Sequence, residues 1–273
     1  MSKVTQTNLE GEPAKGCGQG TTETVTVNEP APTAPPPTTS TKKGFTFKLG
    51  EDVTILGGKG SGKTVMCHYI YAHAPKAIVF NLTSEMGFHL LSDCYVVDDP
   101  EGVRRAVASG KYTHIEVIPS EDTVVDHDRI RDIYDELCLI AYKWGNCVIM
   151  TDELAYITRG ENTTPNMERV ALMGRHAGVS LVVAGQRNQL IPKSIVSQSK
   201  HLIVYALSLY DAGAYNRWIG FDLQAMLRDA PQGSYKWLWI REYEYSVEPP
   251  VPLLIDEATG KARVKIQKPE RVN

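Results

Sequence analysis

The chain has 273 residues, 42% of them hydrophobic, which is enough to bury one substantial core or a core with appendages. Its formal net charge is −3, so no global basic field drives it onto nucleic acid, and any such contact has to come from local loops. The five cysteines (Cys17, Cys67, Cys94, Cys138, Cys147) contain no C-x-x-C pair, which argues for a reducing compartment and against a zinc knuckle or disulfide framework.

Residues 1–43 contain "GQGTTETVTVNEPAPTAPPPTTSTKK", a Thr-, Pro- and Gly-biased stretch with almost no large apolar side chains. Such a segment buries too little surface to offset its ordering entropy, so it is read as a disordered arm, a linker or tail. The opening residues "MSKVTQTNLEGEPAKGCG" have no apolar signal region, and no run of eighteen apolar residues occurs. The expectation is a soluble, cytosolic chain without a transmembrane segment.

From Phe45 onward, short β-rich runs alternate with amphipathic stretches. The predicted strands are "FTFKL", "DVTILG", "AIVFNL", "HIEVIP", "NCVIMTD", "VSLVVAG" and "HLIVYAL". Several are continuously apolar, as strands buried on both faces should be. Helical spacing marks Gly62 to His73, Pro100 to Ser109, Asp126 to Trp144 and Asn166 to His176. This alternation predicts an α/β core over residues 44–230, with a mostly parallel central sheet flanked by helices. Residues 231–273, aromatic and alternating with a Thr-Gly turn, predict added β-structure in hairpins at the edge of that core.

Within the core, Gly57-Gly58-Lys59-Gly60-Ser61-Gly62-Lys63-Thr64 fits G-x-x-x-x-G-K-[ST] between a predicted strand and a predicted helix. Glycines let backbone N–H groups approach phosphates closely, Lys63 reaches the β and γ phosphates, and the Thr64 hydroxyl suits Mg²⁺. The motif therefore predicts binding of ATP or a similar nucleotide with Mg²⁺. Hydrolysis needs a further carboxylate, and "CVIMTDE" delivers Asp152 and Glu153 at the C-terminal end of an apolar strand, where open α/β sheets bind ligands. Asp152 is placed to hold Mg²⁺ and Glu153 to polarise the attacking water. Two rival pairs fit less well. Asp256 and Glu257 follow Pro250 and Pro252 and open a turn, while Asp135 and Glu136 fall in a helical pattern and read as a solvated face. An arginine-rich lid of the kind small-molecule kinases use is not evident.

The run "VSLVVAG" ends in Gln186 and Arg187 beside the Asp152 strand. On spacing alone Gln186 either senses the γ phosphate and orients water or is a solvated strand end. The order "GGKGSGKT", "CVIMTDE", "GRHAGVSLVVAGQR" and "IPKSIVSQSKHLIVY" resembles the FtsK–HerA superfamily of RecA-like P-loop motors, and most of all the genome-packaging ATPases of membrane-containing, tailless icosahedral viruses. The resemblance spans roughly residues 45–210. It departs at Asn188, where the family usually has proline after Gln-Arg.

That resemblance implies an ATPase whose Lys63 and Thr64 hold phosphate and Mg²⁺, with Asp152 on the metal, Glu153 as base and Gln186 as sensor. It also implies a homo-oligomeric ring that translocates double-stranded DNA, with capsid-vertex or viral membrane proteins as further partners. The expected location is the host cytoplasm or a packaging vertex of the virion. Rings of this kind supply an arginine to the neighbouring subunit's nucleotide. Arg175, then Arg169 and Arg187, are the candidates, and each is equally compatible with a surface or capping role. A Zot-like phage export ATPase and a HerA-like cellular translocase are the alternatives.

Two further features read as ordinary structure, and a third has two readings. "DHD" at Asp126 to Asp128 is a helix start rather than a metal site. Trp218, Trp237 and Trp239 are core or interface residues rather than base-stacking platforms. Lys193, Lys200 and His201 are compatible with either a pore-facing or a solvated loop.

Overall fold

The computed structural model describes residues 45–83, 87–88, 94–159, 163–186, 191–219, 222–241, 244–251, 253–255 and 262–264. The predicted arm at residues 1–43 lies outside them, as do Arg187, Asn188, Asp256, Glu257 and the Thr-Gly turn.

The architecture is a nine-stranded sheet between helices, ordered β3-β4-β2-β5-β6-β1-β7-β8-β9. Its strands are β1 (Val53–Leu56), β2 (Ala77–Phe80), β3 (Tyr95–Val97), β4 (His114–Val117), β5 (Cys147–Thr151), β6 (Val179–Gly185), β7 (His201–Val204), β8 (Trp237–Arg241) and β9 (Glu244–Glu248). The first seven pair in parallel, β8 adds to β7 antiparallel, and β9 adds to β8 antiparallel. A separate antiparallel pair joins β10 (Leu253–Ile255) and β11 (Ala262–Val264).

Strand periodicity divides the interior into two cores. Ile78 and Phe80 of β2 point into one, Ala77 and Val79 into the other, and Leu56 of β1 is separated in the same way from Val53 and Ile55. Helix α1 (Lys63–His73) seals the second core with Met66, Cys67, Ile70 and Tyr71. The first core lies under α2 (Pro100–Ser109), α4 (His127–Trp144), α5 (Leu154–Thr158) and α6 (Pro165–Ala177). A short α3 (Glu121–Val125) precedes α4, and α7 (Lys193–Gln198), α8 (Leu209–Ile219) and α9 (Leu223–Met226) follow β6 and β7.

Local chemistry sets the helix ends. Asp99 accepts from Gly102 N at 2.7 Å with Pro100 at the first turn of α2, and Gly110 closes that helix at φ +63°. Asp126 accepts from Arg129 N at 3.0 Å and starts α4, so the "DHD" segment is a cap as predicted. Along α4, Ile130, Ile133, Tyr134, Leu137, Cys138 and Ala141 form the buried stripe.

Two expectations are corrected. "FTFKL" forms no strand; Phe45 is instead buried in the second core, 5.3 to 5.8 Å from the rings of His201, Trp237 and Trp239. Asp135 and Glu136 are not merely solvated. Asp135 accepts from both Asn166 N (2.7 Å) and Asn166 Nδ2 (2.6 Å), and Glu136 pairs with Arg104 of α2. Cys67, Cys138 and Cys147 are buried free thiols, and Cys94 is partly buried and free. Among the described residues no helix is long and apolar enough to cross a membrane.

Candidate nucleotide site

The phosphate-type loop leaves β1 at its C-terminal end, and its shape depends on three glycines. Gly60 (φ +70°) and Gly62 (φ +110°) adopt the left-handed backbone that side chains disfavour, and Gly62 is the N-cap of α1. At Gly57 the constraint is space: a Cβ would fall 2.5 Å from Ser61 Oγ and 2.8 Å from Tyr205 Cβ. Neighbouring strands moor the loop, since Gly57 N donates to Gly185 O at 3.4 Å and Gly58 N to Ala206 O at 2.9 Å. The first N–H groups of α1, which have no intrahelical acceptor, therefore face outward from a fixed cradle.

Lys63 is buried, and its Nζ donates to Gly57 O (2.8 Å) and Gly58 O (2.9 Å). Burial lowers its pKa, while Cys67, Glu153 and Asp152 act in the opposite direction. Two of its three N–H bonds brace the loop, which leaves one for an incoming anion.

A cleft of about 290 Å³ opens over this loop, lined by Lys59, Gly60, Lys63, Thr64, Thr83, Asp152, Glu153, Ala184 and Gln186. Asp152 and Glu153 directly follow β5, and Gln186 directly follows β6. Because β6 lies between β1 and β5, parallel pairing brings the three strand ends into one row. Gln186 Nε2 is 3.5 Å from Glu153 Oε2, at the outer limit of a hydrogen bond. Residues from four separate stretches of sequence thus converge. Thr83, just beyond β2, was not singled out from sequence because it belongs to no motif.

A divalent cation fits the donor set. The Thr64 hydroxyl, exposed to the cleft, and the Asp152 carboxylate are hard oxygen donors of the kind Mg²⁺ takes. Among the described residues no group of three or more His, Cys, Asp or Glu could hold a metal by itself, so phosphate oxygens and water would complete the shell.

The larger cleft, about 450 Å³, lies at the other edge of the sheet, where Asp52 precedes β1. Lys48, Glu51, Leu172, Arg175 and Lys200 also line it. Size is a weaker guide here than chemistry, because none of the phosphate-loop residues reaches it. Arg175 precedes the seven residues of β6 and Gln186 follows them, a separation of about 20 Å at 3.3 Å per residue. Arg175 is exposed and its Nε contacts His176 Nε2 at 3.4 Å. Arg169 packs over the Tyr142 ring, 5.9 Å from its centroid.

The predicted structural roles of Trp237 and Trp239 agree with their surroundings. Trp237 Nε1 donates to Pro249 O at 2.8 Å, and Trp239 Nε1 donates to His201 Nδ1 at 3.1 Å. With Nδ1 accepting, neutral His201 carries its proton on Nε2 and donates to Glu51 Oε2 at 2.9 Å. Lys200 pairs with Glu51 at 2.9 Å. His201 is fully buried, so it is not a pore residue.

No protein-family model matches the chain, and no curated protein matches it in sequence. Solved structures do match in fold. The genome-packaging NTPase B204 of Sulfolobus turreted icosahedral virus 2, in complex with ATP-gammaS, superposes with a TM-score of 0.58 at 20% identity, covering 76% of this chain and 100% of that one. B204 of Sulfolobus turreted icosahedral virus, described as a DNA-packaging ATPase, gives 0.56 at 18% identity over 76% and 100%. VirB4 of Thermoanaerobacter pseudethanolicus gives 0.52 at 11% identity over 73% and 89%. The fold expected from the motifs is therefore the fold that the chain has.

Proposed function

We propose that this chain, which shares its fold with the packaging NTPases, is an ATP-hydrolysing ring motor that moves double-stranded DNA, in viral genome packaging into a preformed capsid. The observation that carries the reading is the convergence of Lys63 and Thr64, Asp152 and Glu153, and Gln186 on one cleft at the ends of adjacent strands. Nucleotide binding alone would not require a carboxylate and an amide facing each other across it.

In this reading the backbone of residues 57–64 cradles the phosphates, and Lys63 holds the β and γ groups through the donor it does not spend on the loop. Thr64 and Asp152 hold Mg²⁺, which neutralises charge on the phosphates when bound. Glu153 accepts a proton from the attacking water, and Gln186 orients that water and registers whether the γ phosphate is present. Arg175 lies too far from its own chain's cleft to serve it. In this reading it serves a neighbouring subunit's site, where a guanidinium stabilises charge on the transferring phosphoryl group.

With a net charge of −3, grip on DNA comes from a few local cations repeated around the ring. Work in the host cytoplasm or at a capsid vertex, with capsid or viral membrane proteins as partners, follows from the same reading. The test is ATP turnover with and without duplex DNA, alongside the mass of the assembly in nucleotide. A ring whose turnover rises with duplex supports the reading; an ATPase indifferent to duplex removes the translocation role, and a chain that turns over no ATP removes the motor.

A further inference from the structure

The row of strand ends also gives the nucleotide site a direction. Asp152, Glu153 and Gln186 all lie on the β6 and β5 flank of β1. If the terminal phosphate points toward them, the nucleoside leaves on the opposite flank, toward β7 and β8. On that flank, two tyrosine rings meet the last glycine of the loop. A Cβ placed on Gly62 would be 3.2 Å from Tyr205 Cε1 and 3.6 Å from Tyr235 Cδ1.

The two tyrosines differ in what accounts for them. Tyr205 is buried in the second core and needs no other explanation. Tyr235 is 54% exposed, and its φ is +54°. Among the described residues only Asn146 and Arg159 share a positive φ without being glycine. Asparagine tolerates that region and Arg159 ends α5 there, whereas an aromatic side chain gains nothing from it. The turn that imposes the conformation is well tied. Ser234 N and Oγ both donate to Pro231 O (3.1 and 2.6 Å), Lys236 N donates to Ser234 Oγ (3.3 Å), and Trp237 then anchors β8 in the core. A half-exposed ring is thus fixed beside the phosphate loop at a backbone cost that burial does not explain.

Resting on the nucleotide-binding reading above, we propose that Tyr235 is the base platform of this site, stacking its ring on the nucleobase of the bound nucleoside triphosphate. Stacking uses the π-face that every base has, so the platform raises affinity without strong selection of adenine over guanine.

The experiment is titration calorimetry of the full chain in Mg²⁺ with a non-hydrolysable ATP analogue, the GTP analogue and inorganic tripolyphosphate, which has no base. Tyr235→Ala is expected to weaken both nucleotides by about 5- to 150-fold and to leave tripolyphosphate unchanged, while Tyr235→Phe binds like the wild type. Tyr235→Gly suits the positive φ, so it should be at least as heat-stable as the wild type and still lose nucleotide affinity. Unchanged nucleotide affinity in both the Ala and Gly variants overturns the proposal, and so does an equal loss for tripolyphosphate, which would make the ring a mere brace for the loop. A wild-type chain that binds neither nucleotide nor tripolyphosphate overturns the nucleotide-binding reading itself.

Discussion

Gln186 Nε2 donates to Glu153 Oε2 at 3.5 Å, the outer limit of a hydrogen bond, and so joins the ends of β6 and β5 across the cleft. Glu153→Gln removes the proton acceptor while keeping the shape. ATP turnover should fall by about 10²- to 10⁴-fold with nucleotide affinity retained, as stopped-flow turnover and equilibrium binding would show. Retained turnover in this variant would remove Glu153 from the role of base. Gln186→Glu sets a like charge opposite Glu153 and should also slow turnover, by less, because the base remains.

The loop itself is tested by a pair of neighbouring glycines. Alanine at Gly57 drives its Cβ to 2.5 Å from Ser61 Oγ and 2.8 Å from Tyr205 Cβ; Ser61 can rotate, but the buried Tyr205 cannot yield. Gly57→Ala should cost about 1 to 3 kcal/mol in thermal unfolding and abolish nucleotide binding. At Gly58 the same Cβ meets only Ala206 O, at 3.5 Å, an ordinary contact. Gly58→Ala should therefore keep wild-type stability, and equal losses in the two variants would refute the steric account.

How far the sequence could be read depended on whether a residue's role was local. The phosphate loop, the strands that carry Asp152 and Gln186, and the cap at Asp126 are each written within a few neighbouring residues, and all appear where expected. "FTFKL" has a strand's composition, yet its fate depends on Trp237 and Trp239 nearly two hundred residues away. The β3 strand was missed because only three residues form it, at an exposed sheet edge where no apolar run is needed. Tyr235 carried no local signal either. Its place beside Gly62 arises only when β8 returns to pair with β7.

Asp135 illustrates the same point in a form that can be measured. Helix α6 begins at Pro165 after Thr164, whose side chain makes no capping hydrogen bond. Asp135 on α4 takes over, accepting from Asn166 N and Asn166 Nδ2. Asp135→Ala should destabilise the chain by about 1 to 2 kcal/mol in denaturant unfolding. Asn166→Ala removes only the side-chain half of the contact and should cost less. A neutral Asp135→Ala would return that carboxylate to the solvated face expected from helical spacing.

Glu51 and Asp52, adjacent in sequence, are pulled in opposite directions. Burial raises the Glu51 pKa, but hydrogen bonds from Lys200 and His201 outweigh it and hold the group at about 2. Asp52 is raised from 3.8 to about 7 by burial, against a hydrogen bond from Leu181 N at 2.7 Å. Between about pH 4 and 7 the folded chain keeps the Asp52 proton that the unfolded chain has released, so this group makes stability fall as pH rises, by at most about 4 kcal/mol. The Glu51 contribution is complete above 4.5 and is lost only as pH drops toward 2, so it leaves the Asp52 window clear. His201, whose pKa burial lowers from 6.5, adds a slope of opposite sign below that value, and the wild-type profile therefore mixes the two. Asp52→Asn isolates the carboxylate, because the amide oxygen still accepts from Leu181 N. Urea unfolding from pH 4.5 to 8 should show the Asn variant gaining on the wild type as pH rises, with its largest advantage at pH 8; a constant difference across that range would rule out a raised Asp52 pKa.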